Sequence, residues 1–433
     1  MGLELVYMYV MGNLGINQSR DNDSDDVDSM YEGGDNNSVY SVQSDGASNC
    51  DADELSAMEK YEDKITIALE NATEKSAQTR SAALQEICQI LSQRYMPYFL
   101  EDRKVTIVDC IEKSIRRGKG AEQIYGSRLA PLLVLQLGGD ESISNTLNQF
   151  LLTTAQDKTT TCDVRASCCL SLGLLNFLGG EDIGKLVNLM QHFENIFSES
   201  YLKGDDKTPI SVTAEAAALH AEALSAWGLL LTLIPPGDFV SFVNNGRPII
   251  PSFKKIFGLL KSVHLDVRMS AGEIIALILE SGRSYNEDFL DDYLDELIEA
   301  VKSLATDSHK YRAKRDRKTQ RAIFREVLRY LEEDISPEVS IKFGSESLIL
   351  NTWALHHQYT CMCTMTGPGM TLHLQENDFL RTIFELGSKP VYDSTIVNQK
   401  QSKLEKHLVN AAAFKARTIS RGKNRDKRSA VIN

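Results

Sequence analysis

The sequence is poor in aromatic residues and has no long apolar run. Phenylalanine, tryptophan and tyrosine make up 7% of its 433 residues, and because aromatic side chains are enriched in strands, this composition favours helix over sheet. The longest apolar run lies around residues 229–234 and ends at Pro235 and Pro236. It is far shorter than the roughly 18 apolar residues that a membrane-spanning helix requires. We therefore expect a soluble chain with no membrane partner.

Signals for export and for disulfide cross-linking are also missing. The first 14 residues are apolar, but they include Glu4 and no basic residue, and acidic sequence follows where a signal peptide would be cleaved. The eight cysteines lie mostly within apolar helical patterns and form no regular framework. We therefore expect reduced cysteines that pack in the core of an intracellular protein.

No catalytic motif appears with its expected context. Residues 179–185 have the glycine and lysine spacing of a phosphate-binding P-loop, but Leu186 stands where a hydroxyl would bind magnesium. A helical pattern precedes this loop, whereas a P-loop follows a strand. No nucleophile with a matching base and no dinucleotide-binding fingerprint can be assembled elsewhere. The sequence therefore predicts a protein that is not an enzyme and has neither a cofactor nor a small-molecule substrate.

One cluster near the C-terminus resembles a metal site. In a helix, His357 and Cys361 would share a face, but Cys363 would point elsewhere, and the sequence has no CxxC pair. Buried thiols beside a histidine explain the cluster better than a structural zinc ion does. We therefore expect no metal here. The cluster consists of His356, His357, Cys361 and Cys363.

Charge is distributed unevenly along a chain whose formal net charge is −13. Between residues 19 and 54, eleven acidic residues stand against a single base, Arg20, with serine, asparagine and glycine between them. Such a segment cannot bury enough apolar surface to offset the entropy lost on ordering. We predict that residues 1–54 form a disordered acidic segment.

Residues 55–335 show helical periodicity almost throughout, broken by short polar or glycine turns. A short pattern with an arginine near a helix start recurs at Arg80, Arg165 and Arg268. These arginines are 85 and 103 residues apart, about twice the ~40–47 residues of an armadillo or HEAT repeat. The sequence therefore predicts an all-α, armadillo/HEAT-like α-solenoid of roughly five helical pairs, each stabilised by its neighbours.

The pattern changes after Pro337. Val339, Ile341 and Phe343 alternate with polar residues, and a turn at Gly344 leads to a second short strand, which predicts a β-hairpin. Helices are expected over residues 352–365 and 372–386. We predict a small C-terminal domain at 336–389, followed by a basic amphipathic helix and tail at 390–433.

Two basic stretches could contact nucleic acid or an acidic protein, although a solvated face is the simpler alternative for each. The first is basic nearly all round before Arg321, so that half of its helix is not expected to enter the core. The second has apolar residues on one side and basic residues on the other, and Phe414 at the margin could stack on a base. The first comprises Lys310, Arg312, Lys314, Arg315, Arg317, Lys318, Arg321 and Arg325. The second comprises Lys403, Lys406, Phe414, Lys415, Arg417, Arg421, Lys423, Arg425, Lys427 and Arg428.

Several strings resemble the interferon-related developmental regulator family. They include Asp316-Arg317-Lys318-x-Gln320-Arg321-x-x-Phe324, Ile341-Lys342-Phe343-Gly344, His373-Leu374-Gln375-x-Asn377-x-x-Leu380-Arg381-x-x-Phe384, and Asn410-x-Ala412-Ala413-Phe414-Lys415-Ala416-Arg417-Thr418. The resemblance covers residues 75–429. It departs from the family pattern after Trp353, where the family usually has a basic helix and this chain has His356-His357-Gln358-Tyr359-Thr360-Cys361.

The resemblance implies an armadillo-like repeat domain with a short C-terminal domain and no enzymatic activity. Family members are described as ribosome-binding repressors of translation and as transcriptional co-regulators. We therefore expect a regulatory binding protein whose basic C-terminal region contacts ribosomal RNA and whose solenoid surface contacts proteins. The alternative is a nuclear adaptor that recruits chromatin-modifying complexes, with the basic strings acting as import signals. Both alternatives imply a protein of the cytoplasm and nucleus.

Overall fold

The computed structural model describes residues 50–180, 182–204, 207–244, 250–306 and 314–390, and it confirms the predicted helical architecture. One compact unit ends at Gly387, and a second begins at Ser388. The predicted basic helix and tail of the second unit lie outside the described residues, as does most of the acidic segment. The first described helix begins at Cys50, so the predicted end of the acidic segment at residue 54 falls inside this helix.

Helices fill most of the first unit, and one hairpin interrupts them. The helices that precede the hairpin are α1 (Cys50–Asn71), α2 (Ala77–Gln93), α3 (Pro97–Glu101), α4 (Lys104–Arg117), α5 (Ala121–Gln136), α6 (Glu141–Gln156), α7 (Cys162–Gly179), α8 (Ile183–Phe197), α9 (Ala214–Leu231), α10 (Pro236–Asn244), α11 (Phe253–Gly258), α12 (Leu265–Arg283), α13 (Leu294–Ala305) and α14 (Lys314–Glu333). The hairpin strands are β1 (Val339–Phe343) and β2 (Glu346–Leu350). The remaining helices are α15 (Trp353–Thr366), α16 (Met370–Glu376) and α17 (Asp378–Ile383).

The helices pack in two rows. The inner row consists of α2, α5, α7, α9, α12 and α14, in which each helix contacts the next. The outer row includes α1, α4, α6, α8 and α13, which pack on the inner helices that follow them in the chain. Each helical pair buries its apolar surface against its neighbours, which is the arrangement of a solenoid.

The middle of the inner row is buried on several sides. Helix α9 is buried over nearly its whole length, because it contacts α7, α8, α12 and α15. Helices α5 and α7, which precede α9 in the row, are also buried on most sides, which is why their apolar residues do not form a single stripe. Within the described ranges, no single helix is long and apolar enough to span a membrane, and α9 with α10 reach that length only as a pair bent by 120°.

The recurring arginines hold successive repeats together. Arg80 makes a two-pronged ion pair with Glu122 of α5, at 2.8 and 2.9 Å. Buried Arg268 donates from Nε and Nη2 to Gln320 Oε1 of α14, at 3.1 and 2.8 Å. Each repeat arginine also donates to main-chain carbonyls of the segment before its helix: Arg80 to Glu74 and Lys75, Arg165 to Ala155, and Arg268 to Ser262. The recurrence of arginine near these three helix starts therefore reflects contacts that join neighbouring helices and the segments before them.

The predicted hairpin is present. Strands β1 and β2 pair antiparallel, with Val339 opposite Leu350 and Phe343 opposite Glu346. The turn between them uses Gly344 at a φ of +56°, a left-handed conformation that glycine adopts without steric cost. Ile341 and Phe343 are buried, as the alternating pattern predicts.

The segment after the hairpin runs back across the inner row. Helix α15 contacts α2, α5, α7, α9 and α12. Its start is fixed by Glu280 of α12, whose carboxylate accepts hydrogen bonds from Trp353 N at 2.8 Å and Ala354 N at 2.9 Å. A carboxylate at this position satisfies amide groups that have no partner within the helix. The inner row is therefore covered by the chain's own C-terminal segment.

The predicted single helix over residues 372–386 is wrong, because the structure has two short helices in its place. The break falls at Asn377, whose side chain accepts hydrogen bonds from Phe379 N and Leu380 N and so caps α17. The same side chain donates to Leu135 O of α5 at 2.9 Å. A residue that caps one helix and binds another ends the regular periodicity at this point.

Replacing Gly369 with alanine is expected to destabilise the protein by about 3 kcal/mol or more, the upper range for an overpacked core. An added Cβ would lie 1.8 Å from Ser92 O and 2.9 Å from Gln93 Cα, both backbone atoms of α2 that cannot turn aside. Gly204→Ala is the matched control, since nothing lies within 4 Å of its Cβ position. Urea unfolding of both variants checks this, and equal unfolding free energies would show that α15 and α16 do not dock closely on α2.

Candidate nucleic-acid interface

Helix α14 has one apolar face and one basic face. Ile323, Phe324 and Val327 are buried against α12 and α13. The opposite side carries the basic stripe, which we define as Arg315, Lys318, Arg325 and Arg329, all exposed. Their spacing of three, seven and four residues places them along one side of a helix. The folded unit therefore presents a row of positive charge to solvent.

The basic stripe differs in extent from the predicted set of residues. Of the residues in the predicted basic stretch, Arg315 and Lys318 are exposed, whereas Arg317 and Arg321 are half-buried. Arg325 of the predicted stretch is also exposed, and the stripe continues to Arg329, which lies beyond that stretch. Lys314 begins α14 but its side chain is outside the description, and Lys310 and Arg312 precede the described part of this helix. Arg329 could have been found by extending the spacing of three and four residues past Arg325.

One polar residue brings the first half of α14 into the core, which the charge pattern did not predict. Gln320 is 1% exposed. Its amide oxygen accepts from Arg268, and its Nε2 donates to Leu304 O at 3.2 Å. A buried amide costs little when both its oxygen and its nitrogen form hydrogen bonds, whereas an amide without partners is destabilising. Gln320 therefore fixes the rotation of α14 and so the direction of its basic stripe.

The C-terminal candidate residues cannot be placed, since residues 391–433 lie outside the description. This applies to Lys403, Lys406, Phe414, Lys415, Arg417, Arg421, Lys423, Arg425, Lys427 and Arg428. Their role stays a prediction from the sequence.

The histidine and cysteine cluster makes protein contacts on α15. His357 Nε2 lies 2.8 Å from Ser225 O of α9, and burial lowers the pKa of this imidazole, so the neutral ring donates to the carbonyl. Cys361 Sγ lies 3.7 Å from the same ring nitrogen, and burial raises the pKa of its thiol to about 12. His356 Nε2 lies 2.8 Å from Pro337 O. No group of three metal-binding side chains occurs among the described residues.

The loop that resembles a P-loop joins two helices. Helix α7 precedes it, as the sequence pattern predicts, and α8 follows it. Asp182 caps α8 by accepting a hydrogen bond from Gly184 N at 2.7 Å. A carboxylate therefore occupies the helix start where a P-loop would bind phosphate.

The family-like strings near residue 380 have a structural role that the sequence did not reveal. His373 Nε2 lies 3.2 Å from Leu91 O and 3.1 Å from Ser92 O of α2. Arg381 is 1% exposed and binds both carboxylate oxygens of Glu346 in β2. These residues attach the C-terminal segment to the first repeats and to the hairpin. The family-like string at residues 373–384 thus contributes packing contacts.

Comparison with known proteins places this architecture in one family. A family model described as interferon-related developmental regulator matches residues 36–332, and one described as interferon-related protein conserved region matches residues 377–429. The chain is 37% identical over 383 residues to interferon-related developmental regulator 1 of Mus musculus, covering 88% of this chain and 84% of the relative. For interferon-related developmental regulator 1 of Homo sapiens the identity is 38%, with 88% and 83% covered. For interferon-related developmental regulator 2 of Mus musculus it is 38%, with 88% and 86% covered.

Proposed function

The chain belongs to the interferon-related developmental regulator family, and we propose that it is a non-catalytic regulator that represses translation by binding ribosomes through its basic C-terminal region. The names of its relatives describe regulators and no enzymatic activity. This agrees with a sequence in which no nucleophile-base pair can be assembled.

The observation that carries this proposal is the concentration of positive charge in two places of an acidic chain. The second matched region, residues 377–429, includes nine Lys and Arg residues against two acids between positions 403 and 428. The basic stripe of α14 adds a row of exposed charge on the folded unit. Clustered bases on one face bind phosphates, since each contact releases condensed counterions.

The geometry of the basic stripe suits a nucleic-acid backbone. Arg315 and Arg329 are 14 residues apart, which corresponds to about 21 Å along a helix. A row of this length reaches several successive phosphates, and arginine binds phosphate with two parallel hydrogen bonds. We propose that the stripe positions the protein on ribosomal RNA while the C-terminal bases provide most of the affinity.

Protein partners are proposed to bind the outer row of the solenoid. Helix α15 covers much of the inner row, so that face is occupied by the chain itself. Among the described residues, the outer helices carry exposed side chains along the length of the repeats. We propose that the protein is present in both the cytoplasm and the nucleus.

A nuclear co-regulator that recruits chromatin-modifying complexes is the second candidate function. It is favoured by residues 421–428, where five bases accompany one acid, a density sufficient for a nuclear import signal. In that case the basic residues would direct nuclear import, and the solenoid would be the surface that binds the recruited complexes.

Sedimentation through a sucrose gradient separates the two functions. We expect the full-length protein to sediment with ribosomal particles, to move to the top of the gradient after RNase treatment, and to leave the particles as salt is raised. A protein that stays at the top in untreated lysate at low salt would contradict ribosome binding and favour the co-regulator.

A further inference from the structure

We infer that the acidic segment of this chain docks on the basic stripe of α14 and competes there with RNA. The docking itself follows from charge, length and exposure within the chain. The competition rests on the proposed function, because it requires that the basic stripe contacts RNA.

The basic stripe is an exposed helix face that carries four basic side chains. Arg329 lies 3.5 Å from Glu333, an exposed pair of small energetic value. Lys318 and Arg325 are exposed on the same side. Repulsion between like charges along a helix is destabilising unless an anionic group approaches them. The stripe thus favours a partner with a dense row of negative charge.

The acidic segment matches the basic stripe in charge and in length. Residues 21–28 contain five aspartates and no base. Eight residues span about 25 Å when extended, close to the ~21 Å between the ends of the stripe. One carboxylate is thus available for each basic side chain over the whole row. No other stretch of eight residues in the chain has this density of acids without a base.

The connection between the two is long enough. Residues 29–49 separate the aspartates from the start of α1 at Cys50, and these 21 residues can reach up to about 70 Å. The six helices of the inner row, with about 8–10 Å between neighbouring axes, extend over roughly 40–50 Å. The acidic segment can therefore reach α14 from the first repeat.

Covalent attachment explains why this segment is preferred over a separate acidic molecule. A tethered ligand acts at an effective concentration in the millimolar range, so even weak pairing of exposed charges suffices for docking. RNA must displace the segment to bind the stripe. Weak competitors, such as short RNA, are excluded most strongly, while a ribosome with many phosphate contacts still binds.

Zero-length cross-linking tests the docking without RNA. A carbodiimide joins a lysine amine to a carboxylate only when the two groups touch. We expect full-length protein at low salt to form a link between Lys318 and a residue within 21–35, located by mass spectrometry. Lys113 and Lys261 are exposed on other helices and are expected to remain unlinked. Absence of the Lys318 link, or equal linking of all three lysines, would overturn the inference.

A double-mutant cycle tests the competition. Neutralising the five aspartates, as D21N, D23N, D25N, D26N and D28N, is expected to raise affinity for single-stranded oligouridylate by about tenfold at low salt. The matched control neutralises five exposed acids of α1, α2 and the turn between them: Glu59→Gln, Asp63→Asn, Glu70→Gln, Glu74→Gln and Glu86→Gln. It changes the net charge equally, so a general electrostatic effect would raise both affinities alike.

The second arm of the cycle places the same changes in a Lys318→Gln, Arg325→Gln background. The gain in affinity is expected to disappear there, because the docking surface has been removed. A gain that persists in this background, or one that the control variant reproduces, would overturn the inference. If no variant binds RNA, the proposed function fails, and the cross-linking result still decides whether the segment docks.

Discussion

Replacing Arg381 with methionine is expected to lower the free energy of unfolding by about 3 kcal/mol, because the carbonyl groups that bind the buried guanidinium lose their donor. Arg381 lies in α17 and is 1% exposed. Its guanidinium donates to both oxygens of Glu346, at 2.8 and 2.9 Å. It also donates to the carbonyls of Leu374, Leu386 and Gly387. All five N–H donors of the side chain therefore have acceptors.

Methionine keeps the apolar stem but leaves these acceptors without donors. Arg325→Met is the matched control, since Arg325 is exposed and a surface substitution changes stability by about 0.5 kcal/mol or less. Urea unfolding followed by circular dichroism measures both. If Arg381→Met unfolds with the free energy of the control, the guanidinium is not needed to join α17 to the hairpin.

The Arg381 pair also has a defined pH dependence. The hydrogen bonds from Arg381 lower the pKa of Glu346 below its ordinary value of 4.5. A lowered carboxyl pKa contributes stability that is present above the unfolded pKa and is lost as the pH falls through the folded pKa. The difference between wild type and Arg381→Met is therefore expected to be full at neutral pH and to shrink below pH 4.5.

The helical repeats and the hairpin could be predicted because periodicity reports burial directly. The alternation of Ile341 and Phe343 with polar residues predicted the hairpin, and both of these apolar side chains are buried. The recurring arginines marked equivalent positions in three repeats. Their partners could not be predicted, since Glu122 and Gln320 lie 42 and 52 residues further along the chain.

The path of the C-terminal segment could not be predicted for the same reason. Asn377 and Arg381 each bind groups that are distant in sequence. A polar or charged residue in a helical pattern is normally expected to be exposed. Only their burial shows that they serve packing. Part of the exposed basic face was found from the sequence, since Arg315, Lys318 and Arg325 of the predicted stretch are exposed. Arg329 was not included, because the rotation of α14 that exposes it is set by buried Gln320.

The central claim is that the basic C-terminal region binds ribosomes. Replacing Arg417, Arg421, Lys423 and Arg425 with glutamate is expected to abolish co-sedimentation with ribosomes at physiological salt. Each phosphate contact contributes about 0.7–0.9 to the slope of log affinity against log salt. Four lost contacts therefore remove about three units of slope, and reversed charge adds repulsion.

The most direct measurement is co-sedimentation of this variant with ribosomes over a salt series. A control with Lys60, Lys64, Lys75 and Lys113 replaced by glutamate reverses four exposed charges on the repeats. Circular dichroism checks that both variants are folded. We predict that the control binds with the wild-type salt slope and that the C-terminal variant does not bind. A C-terminal variant that binds with the wild-type slope but is excluded from the nucleus would contradict ribosome binding by these residues and identify them as an import signal.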